Sequence, residues 1–360
     1  MGKKVCFVFH GNLFLCPYLK FYKENVSKDY DIICWNRDGV AEQHDSNVFC
    51  YEDEFSSNNK LLKVLNYLKF RKYAKKVLLN GNYDSVIALS TISAIILSNV
   101  LINNFKNRYI IDVRDYSGEK NKIIFNIEKK LIKNSYATFI SSPEYRSFLP
   151  IHKYNTIHNI QKINSKEVNE IRKNVFKHEK ISIGFIGTVD AYLEQHIKLI
   201  NQLKNKSNIE LYFIGRGSEK LEEYCNANSI ENVTLIGKFS PEDISHYYKK
   251  IDIINNLYGN GVPALDYALS NKLYFSAMFY MPILVCPNTA MEKIGKKLDI
   301  AITIDLNNSV EDAYLKIMNY IEKMNAEMVK EKCDSFMEES FNDNLQTLRV
   351  LQSFEKGDLL

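Results

Sequence analysis

The segment 267–287 combines residues that could hold an anion with the element that would position them. Ser270, Asn271 and Lys272 stand where a helix is predicted to begin, and a short apolar strand follows that helix. The first turn of a helix leaves backbone N–H groups unpaired and carries a partial positive charge, to which Lys272 adds a full one. This combination is typical of a diphosphate site. An ordinary capped helix packed on a sheet has the same local pattern. The two interpretations are distinguished by the position of this segment in the rest of the chain.

Two glycine-containing turns in the same half of the chain could also hold phosphate. Gly187 and Thr188 follow one apolar run, and Arg216 lies between Gly215 and Gly217 after the next. The glycines are equally consistent with simple turns, and Arg216 with a surface arginine. No strand is followed by the full G-x-G-x-x-G pattern, which argues against a nicotinamide-dependent dehydrogenase.

Composition excludes several classes of protein. The 360 residues carry a net charge of only +4, which argues against general nucleic-acid binding. The seven cysteines are odd in number and scattered, with no C-x-x-C pair, which argues against a disulfide framework and a zinc site and favours a reducing cytoplasm. No feature requires a metal, so we predict no metal ligands. The length suits two domains.

The elements alternate between strand and helix. In the N-terminal half, β-rich runs are predicted at 5–10, 30–35, 85–89, 109–113, 137–141 and 155–158, with helices at 60–79 and 121–134. After a polar, lysine-rich linker at 161–180, strands are predicted at 181–187, 209–215, 233–237, 251–257, 283–286 and 300–304. Helices are predicted between them at 194–204, 219–228, 241–249, 267–278 and 290–296, and then at 310–337 and 344–354. The pattern predicts an α/β fold with mainly parallel sheets.

Polar clusters stand at the carboxyl ends of the N-terminal strands, where open α/β sheets bind ligands. These clusters are His10-Gly11-Asn12, Ser90-Thr91, Arg114-Asp115, Ser141-Ser142 and His158-Asn159.

With these elements in place, the chain resembles the GT-B fold glycosyltransferases, particularly the family 4-like enzymes of bacterial capsule and exopolysaccharide synthesis. The resemblance spans nearly the whole chain and rests on an ordered set of segments: FIGT, ELYFIGRGSE, ENVTLIGKFSPEDISHYYKKIDI and ALSNKLYFSAMFYMPILV, preceded by YIIDVRDY, ISSPEY and HNI. It implies two Rossmann-like doubly wound domains facing across a cleft. The implied domains are 1–160 for the acceptor and 161–335 for the nucleotide-sugar, with a helix at 336–360 packing back on the first.

The resemblance also implies roles for individual residues. The donor side comprises Gly187, Thr188, Arg216, Phe239, Tyr258, Asn260, Ser270, Asn271 and Lys272. The acceptor side comprises Gly11, Asn12, Arg114 and Glu144, and an inverting reaction would need a general base, for which His10 and Asp115 are the candidates. Arg114 and Asp115 could equally form a structural ion pair, and Phe239 could be a core aromatic residue. The nucleotide-sugar is a substrate, so no cofactor is implied.

The chain departs from the family pattern at informative positions. Thr188 replaces the usual arginine after the first glycine, and Glu194 and Gln195 lie where a lysine is usual. The usual pair of glutamates is replaced by Tyr267 and Phe275. Asp266 adjoins the first position but points about 100° away on a helix. Ribose recognition and the stereochemistry of transfer therefore stay open.

Membrane contact is a further expectation. The apolar run 85–102 is long enough to suggest a membrane span, but Ser90, Thr91 and Ser93 favour strand, turn and buried helix instead. The helix at 61–79 mixes leucines with lysines, as the run 120–133 does, and an anionic bilayer would attract such a surface. Solvated helix flanks explain both runs equally well. Contact with the inner face of the cell membrane would suit an acceptor carried on a polyprenyl diphosphate.

Two other functions fit the same architecture. One is a nucleotide-sugar epimerase, which would convert the donor without an acceptor. The other is a non-catalytic sugar-nucleotide or glycan-binding subunit, which the missing glutamates suggest. Product analysis separates the three.

Overall fold

A computed structural model of the chain describes residues 4–27, 29–40, 42, 45, 47–55, 59–308 and 312–357. The chain divides into two compact units. Unit 1 comprises Met1–His158 and Phe341–Leu360, and unit 2 comprises Asn159–Ser340. The first division lies two residues before the predicted boundary at 160, and the second lies five residues after the predicted boundary at 335.

The described part of unit 1 is built on a seven-stranded parallel sheet in the order β3-β2-β1-β4-β5-β6-β7. Its strands are β1 Val5–Val8, β2 Tyr30–Asn36, β3 Val48–Glu52, β4 Ser85–Ala88, β5 Tyr109–Val113, β6 Ala137–Ile140 and β7 Asn155–Thr156. The predicted strands are confirmed, with β3 as an addition. Sequence reasoning missed β3 because it is a half-exposed edge strand, whose short apolar run is not buried.

Helices cover this sheet, namely α1 Leu19–Asn25, α2 Lys60–Asn80, α3 Thr91–Ile96, α4 Ser98–Asn104 and α5 Lys122–Asn134. The run 85–102 forms strand, turn and buried helices, as predicted. α2 buries one face through residues four apart, Asn66, Phe70, Ala74 and Leu78. None of the helices in the described ranges is both long and apolar enough to cross a membrane.

The described part of unit 2 contains a six-stranded parallel sheet in the order β10-β9-β8-β11-β12-β13. Its strands are β8 Ile181–Ile186, β9 Ile209–Ile214, β10 Val233–Ile236, β11 Ile253–Asn256, β12 Ile283–Val285 and β13 Ala301–Thr303. All six match predicted strands, because each is a short apolar run bounded by polar or glycine residues.

The helices of unit 2 are α6 Ser165–Asn174, α7 Leu193–Leu203, α8 Glu222–Ala227, α9 Ile244–Tyr248, α10 Pro263–Asp266, α11 Asn271–Phe279, α12 Ala290–Lys297 and α13 Ala313–Lys323. The expectation of a polar linker at 161–180 is wrong in part, because α6 occupies its centre. Asn164 caps α6 by accepting from the Lys166 N–H at 2.8 Å, and Val168 and Ile171 are buried.

The last helix, α14 Ala326–Lys356, is continuous, so the expectation of separate helices ending near 337 and starting at 344 is wrong. Asn325 caps its start by accepting from two backbone N–H groups. No glycine or proline lies between 326 and 356 to end it earlier. Val329 and Cys333 pack in the core of unit 2, and Leu351 and Phe354 pack in the core of unit 1. The predicted start of the preceding helix at Val310 lies outside the described residues.

Candidate functional site

In each sheet some of the predicted site residues lie where the strand order reverses. In unit 2, β8 and β11 are neighbours although β9 and β10 separate them in sequence. Gly187 follows β8, and Tyr258 lies two residues beyond β11. The crevice at such a switch point is where open parallel sheets bind ligands. The donor-side candidates Gly187 and Tyr258 therefore occupy the expected position.

Lys272 lies at this switch point and is only 6% exposed. Its Nζ donates a hydrogen bond to the Tyr258 hydroxyl at 2.7 Å and lies 4.4 Å from the centre of the Phe185 ring. A Cβ atom placed on Gly187 would be 3.5 Å from the same Nζ. In the part of the chain that the structure describes, no carboxylate pairs with this ammonium. Lys272 is therefore a buried cation held by aromatic groups and a hydroxyl.

Further aromatic residues pack against Tyr258 and Phe185 and fix their contacts with Lys272. The Tyr192 ring stacks on Tyr258 with centroids 4.3 Å apart. His196 on α7 packs edge-on against Phe185 with centroids 4.4 Å apart. His196 is fully buried, and neither ring nitrogen has a hydrogen-bond partner among the described residues. Burial, helped by the Lys272 charge, lowers the pKa of His196 to about 3, so the imidazole is neutral beside the ammonium.

The turn after β9 approaches the turn after β8 closely. Gly215 has φ +133°, and a Cβ there would lie 1.8 Å from the Gly187 carbonyl oxygen. Gly217 has φ +81°, and a Cβ there would lie 2.3 Å from Asp190. Both positions thus require glycine for conformation and for close approach. The turns also bring the Arg216 side chain beside the β8 turn.

Arg216 is exposed and faces a carboxylate that it shares with another cation. Its Nε lies 3.6 Å from Asp190 Oδ1, and Lys220 Nζ lies 3.2 Å from Asp190 Oδ2. The hydrogen bond from Lys220, together with the Arg216 charge, lowers the pKa of Asp190. The cluster of Arg216, Lys220 and Asp190 carries one net positive charge.

The start of α11 has the predicted cap. Ser270 is the N-cap residue, and its Oγ accepts from the Lys272 N–H at 3.3 Å. Ser270 and Asn271 are partly exposed. Phe275 is a core residue that stacks on Phe279, so it gives no hydrogen bond to a ribose. Asp266 accepts from the Gly261 N–H at 2.9 Å and stabilises the preceding loop.

The remaining donor-side candidates, Phe239, Thr188 and Asn260, differ in their contacts and exposure. Phe239 is half-buried and packs edge-on against Tyr247 with centroids 5.0 Å apart, which is a structural contact. Thr188 is exposed. Asn260 donates to the Pro287 carbonyl at 2.9 Å and lines a pocket of about 80 Å³, which is too small for a nucleotide-sugar. A larger pocket of about 560 Å³ lies near the start of β13, away from the switch point.

Unit 1 has an equivalent switch point between β1 and β4, and His10 lies there. Its Nδ1 lies 2.9 Å from Ser90 Oγ and 3.2 Å from Ser93 Oγ. Its backbone N–H donates to Ser93 Oγ at 3.1 Å. Burial lowers the pKa of His10 to about 4, with smaller contributions from the Arg37 and Lys63 charges. His10 is therefore neutral near pH 7 and a weak base.

Asn12 has a structural role that the sequence did not reveal. It is fully buried, its Nδ2 donates to Asn36 Oδ1 at 2.7 Å, and its Oδ1 accepts from the N–H groups of Arg37 and Asp38. The neighbouring Gly11 is also buried, and its carbonyl accepts from the Trp35 N–H. The hydrogen bonds of the Asn12 amide therefore stabilise the end of β2 and the loop that follows it.

Arg114 forms an ion pair, but its partner is Asp112, and the suggested pair with Asp115 is wrong. Two bonds of 2.8 Å join the guanidinium to the Asp112 carboxylate, and Tyr22 donates to the same carboxylate. Residues two apart on a strand point to the same face, which explains the choice of Asp112. The Arg114 guanidinium also lies 4.3 Å from the centre of the Tyr18 ring.

Asp115 is left outside that ion pair. Solvent reaches its side chain, yet the surrounding protein removes enough water to raise its pKa to about 6, while the Arg114 charge opposes the rise. A carboxylate with this pKa is a better base near pH 7 than His10. Glu144 lies in the short helix Pro143–Ser147 that Ser142 caps, and its own N–H donates to Ser142 Oγ.

Unit 1 also contains a buried acid that sequence reasoning missed. Glu128 on α5 is 1% exposed, and neither carboxyl oxygen has a hydrogen-bond partner in the described ranges. Burial raises its pKa to about 8, with a further contribution from Glu119, while the nearby Thr91 hydroxyl opposes the rise. No local pattern distinguishes it from a surface glutamate. In the described residues, no three His, Cys, Asp or Glu side chains form a cluster able to hold a metal ion.

No family model matches the chain. Two curated proteins show limited sequence similarity. Protein CapJ of Staphylococcus aureus is 29% identical over 162 residues, which covers 39% of this chain and 40% of CapJ. Protein TIC 214 of Phaseolus vulgaris is 24% identical over 217 residues, which covers 58% of this chain and 11% of TIC 214. The chain thus spans well under half the length of these relatives.

Solved structures are similar over nearly the whole chain. Anabaena HepE in complex with UDP has a TM-score of 0.66 at 12% identity, covering 98% of this chain and all of HepE. Sucrose-phosphate synthase from Thermosynechococcus elongatus has a TM-score of 0.64 at 11% identity, covering 97% of both chains. A putative UDP-N-acetylglucosamine 2-epimerase from Listeria monocytogenes has a TM-score of 0.55 at 11% identity, covering 92% of this chain and 91% of the epimerase.

These similarities agree with the topology of both units, each a parallel sheet whose strand order reverses once. The chain therefore has the GT-B fold, the fold of the glycosyltransferases that its sequence resembles.

Proposed function

We propose that the protein is a glycosyltransferase that moves a sugar from a nucleotide-diphosphate sugar to a glycan or lipid-linked saccharide in cell-surface polysaccharide synthesis. The observation that carries the donor half of this proposal is the Lys272 ammonium at the switch point of unit 2, which has aromatic and hydroxyl contacts but, among the described residues, no carboxylate partner. A buried cation without a countercharge is costly, and a phosphate would supply that charge.

The charges of the site support a diphosphate. Lys272 contributes one positive charge, and the cluster of Arg216, Lys220 and Asp190 contributes one more in net terms. A nucleoside diphosphate sugar carries a negative charge on each of its two phosphates. The two positive charges of the site would therefore neutralise the two negative charges of the diphosphate. The start of α11, capped by Ser270, adds backbone donors and a helix dipole. Anabaena HepE, which has the same fold, has been solved with UDP-glucose.

On unit 1 we propose Asp115 as the general base and His10 as a neutral contact to the acceptor. Asp115 lies outside the Arg114–Asp112 ion pair and has a pKa of about 6, whereas His10 with a pKa of about 4 is the weaker base. Gly11, Arg114 and Glu144 stay acceptor-side candidates on the resemblance alone. The cell-surface setting likewise rests on the resemblance.

The test is a thermal-shift screen of nucleotide-sugars followed by product analysis. We expect a nucleotide-diphosphate sugar to raise the melting temperature and to lose its sugar to an added saccharide or polyprenyl diphosphate acceptor. The matching nucleoside monophosphate, which lacks one phosphate, should stabilise the protein less. Stabilisation by no nucleotide-sugar would contradict the proposal.

A nucleotide-sugar epimerase is the second candidate, favoured by the structural similarity to the Listeria protein. It would give an isomerised nucleotide-sugar without an acceptor. A non-catalytic binding subunit, which the core position of Phe275 favours, would bind the nucleotide-sugar and leave it unchanged.

We also propose that α2 places the protein on an anionic membrane, where a polyprenyl-linked acceptor would lie. Its first half presents a stripe of exposed apolar residues with i, i+3, i+4 and i+7 spacing, namely Leu61 (76% exposed), Val64 (55%), Leu65 (54%) and Leu68 (50%). Exposed lysines at 63, 69, 72, 75 and 76 flank the stripe. Apolar insertion and charge attraction would act together.

Flotation with lipid vesicles tests the membrane proposal. The protein should float with phosphatidylglycerol vesicles, float less with phosphatidylcholine vesicles, and be released by salt. The double variant L65S/L68S should stay at the bottom of the gradient. Leu315→Ser, at a position of α13 that is 56% exposed, is the matched control and should float normally. Equal flotation of L65S/L68S and the control would overturn this role for α2.

A further inference from the structure

Two cysteine side chains lie against each other in unit 1. Cys34 of β2 and Cys50 of β3 are partners in the parallel register, so both side chains point to the same face of the sheet. Their Sγ atoms are 3.0 Å apart, with Cys34 donating to Cys50. This distance exceeds a disulfide bond length by only about 1 Å. The odd number and scattered positions of the cysteines gave no sign of this pair in the sequence.

The two thiols differ in their exposure to solvent. Cys50 is partly exposed on the edge strand β3, whereas Cys34 and the other five cysteines are buried. The hydrogen bond to Cys50 and burial both raise the pKa of Cys34, which keeps Cys34 a thiol. An oxidant in solution would therefore reach Cys50 first.

We propose that Cys34 and Cys50 form a reversible disulfide when the protein meets a peroxide. Cys50 first loses its proton to water, and its thiolate then attacks one peroxide oxygen and becomes a sulfenic acid as the O–O bond breaks. The other oxygen leaves as hydroxide and takes up the proton that Cys50 released, giving water. Cys34 Sγ then attacks Cys50 Sγ, forming the S–S bond and breaking the S–O bond, so that hydroxide leaves and takes up the Cys34 proton as a second water. The two thiols are oxidised and the peroxide is reduced to water.

The position of the pair gives the link a structural consequence. Two residues further along the same face, Asn36 Nδ2 donates to Glu52 Oε2 at 2.8 Å, and Asn36 Oδ1 accepts from Asn12. The disulfide would link the edge strand β3 covalently to β2, whose Asn36 is hydrogen-bonded to Asn12. It closes a loop in the unfolded chain, so the oxidised protein should melt at a higher temperature than the reduced one. This inference is independent of glycosyl transfer.

Intact mass after alkylation tests the pair. Reduced full-length protein is treated with hydrogen peroxide, freed of peroxide, unfolded in guanidinium and alkylated with iodoacetamide. Seven cysteines are available in the reduced protein, so a single disulfide should leave five alkylated, with a linked Cys34–Cys50 peptide. Dithiothreitol before unfolding should restore seven.

Single variants give an independent readout. Cys34→Ser should accumulate a dimedone-reactive sulfenic acid at Cys50, because the second thiol is missing. Cys50→Ala should retain all its remaining thiols after the same treatment, and Cys6→Ser, a buried cysteine elsewhere in the sheet, should still form the link. Full alkylation of the oxidised wild type, a link between other cysteines, or irreversible oxidation of Cys50 beside a free Cys34 would overturn the proposal.

Discussion

The Lys272 ammonium and the Tyr258 hydroxyl are joined by a hydrogen bond of 2.7 Å, although the two residues come from different elements. Tyr258 lies near the start of the loop after β11, and Lys272 lies in the first turn of α11. The tyrosine accepts from the ammonium but does not neutralise it. The pair therefore positions a cation at the switch point and leaves its charge for a ligand, which leads to two predictions about donor binding.

Tyr258→Phe should weaken nucleotide-sugar binding about fivefold, since a hydrogen bond of this kind contributes about 1 kcal/mol. The ring would still stack on Tyr192, so folding should be unaffected. Tyr192→Phe is the matched control, because its hydroxyl has no hydrogen-bond partner in the described part of the chain. Calorimetric titration of both variants with the best nucleotide-sugar measures the difference. Equal affinities would remove Tyr258 from the positioning role.

Lys272→Met should lower nucleotide-sugar affinity at least tenfold and leave the melting temperature of the free protein unchanged or higher. Methionine keeps the apolar stem against Phe185 but removes a buried charge that no described carboxylate neutralises. The salt dependence of binding should also become shallower. Lys204→Met, at the exposed carboxyl end of α7, is the control. A large loss of thermal stability with unchanged affinity would show that Lys272 is structural.

The fold could be predicted from local patterns because each buried strand is a short apolar run with polar residues after it. The elements that were missed bury much less of their surface. β3 is an exposed edge strand, and α6 buries only Val168 and Ile171 in a lysine-rich segment. The continuity of α14 depends on packing along its length, which periodicity does not report.

The site was predictable only where neighbours in sequence are neighbours in space. The Ser270 cap and the glycine turns are local, so their residue types identify them. The contacts of Lys272 with Phe185 and Tyr258 join α11 to β8 and to the loop after β11, which are separate elements of the chain. The ion-pair partner of Arg114 shows the limit of local reasoning. Asp115 was suggested because it is adjacent in sequence, but Asp112 is the partner because residues two apart on a strand point to the same face.

Asp115→Asn should lower the rate of sugar transfer about 100-fold or more, a typical loss for a general base, with nucleotide-sugar affinity unchanged. In the wild type, kcat/KM should rise as the pH increases through about 6, the pKa of Asp115, because the ionised form is the base. The variant should lack this rise. Asp29→Asn, before β2 at the opposite end of the sheet, is the control. A pH profile that is unchanged in Asp115→Asn would assign the base elsewhere.

Glu128→Gln should stabilise the protein relative to wild type increasingly as the pH rises from 5 to 8. The folded-state pKa of Glu128 is about 8, against about 4.5 for an unperturbed glutamate. Between these values the folded state holds a proton that the unfolded state has lost, so wild-type stability falls with pH, by at most about 1.4 kcal/mol per pH unit from this group. Above pH 8 the carboxylate ionises in both states and the difference levels off.

Glutamine cannot titrate, so any cost of its buried amide is independent of pH. The free energy of unfolding of both proteins, measured by urea titration at several pH values, isolates the contribution of Glu128 as their difference. The difference should grow by a few kcal/mol across this range. Glu24→Gln, at an exposed position on α1, should show a nearly constant difference from wild type. A constant difference for Glu128→Gln as well would mean that its carboxyl is ionised in the folded protein and has a compensating partner.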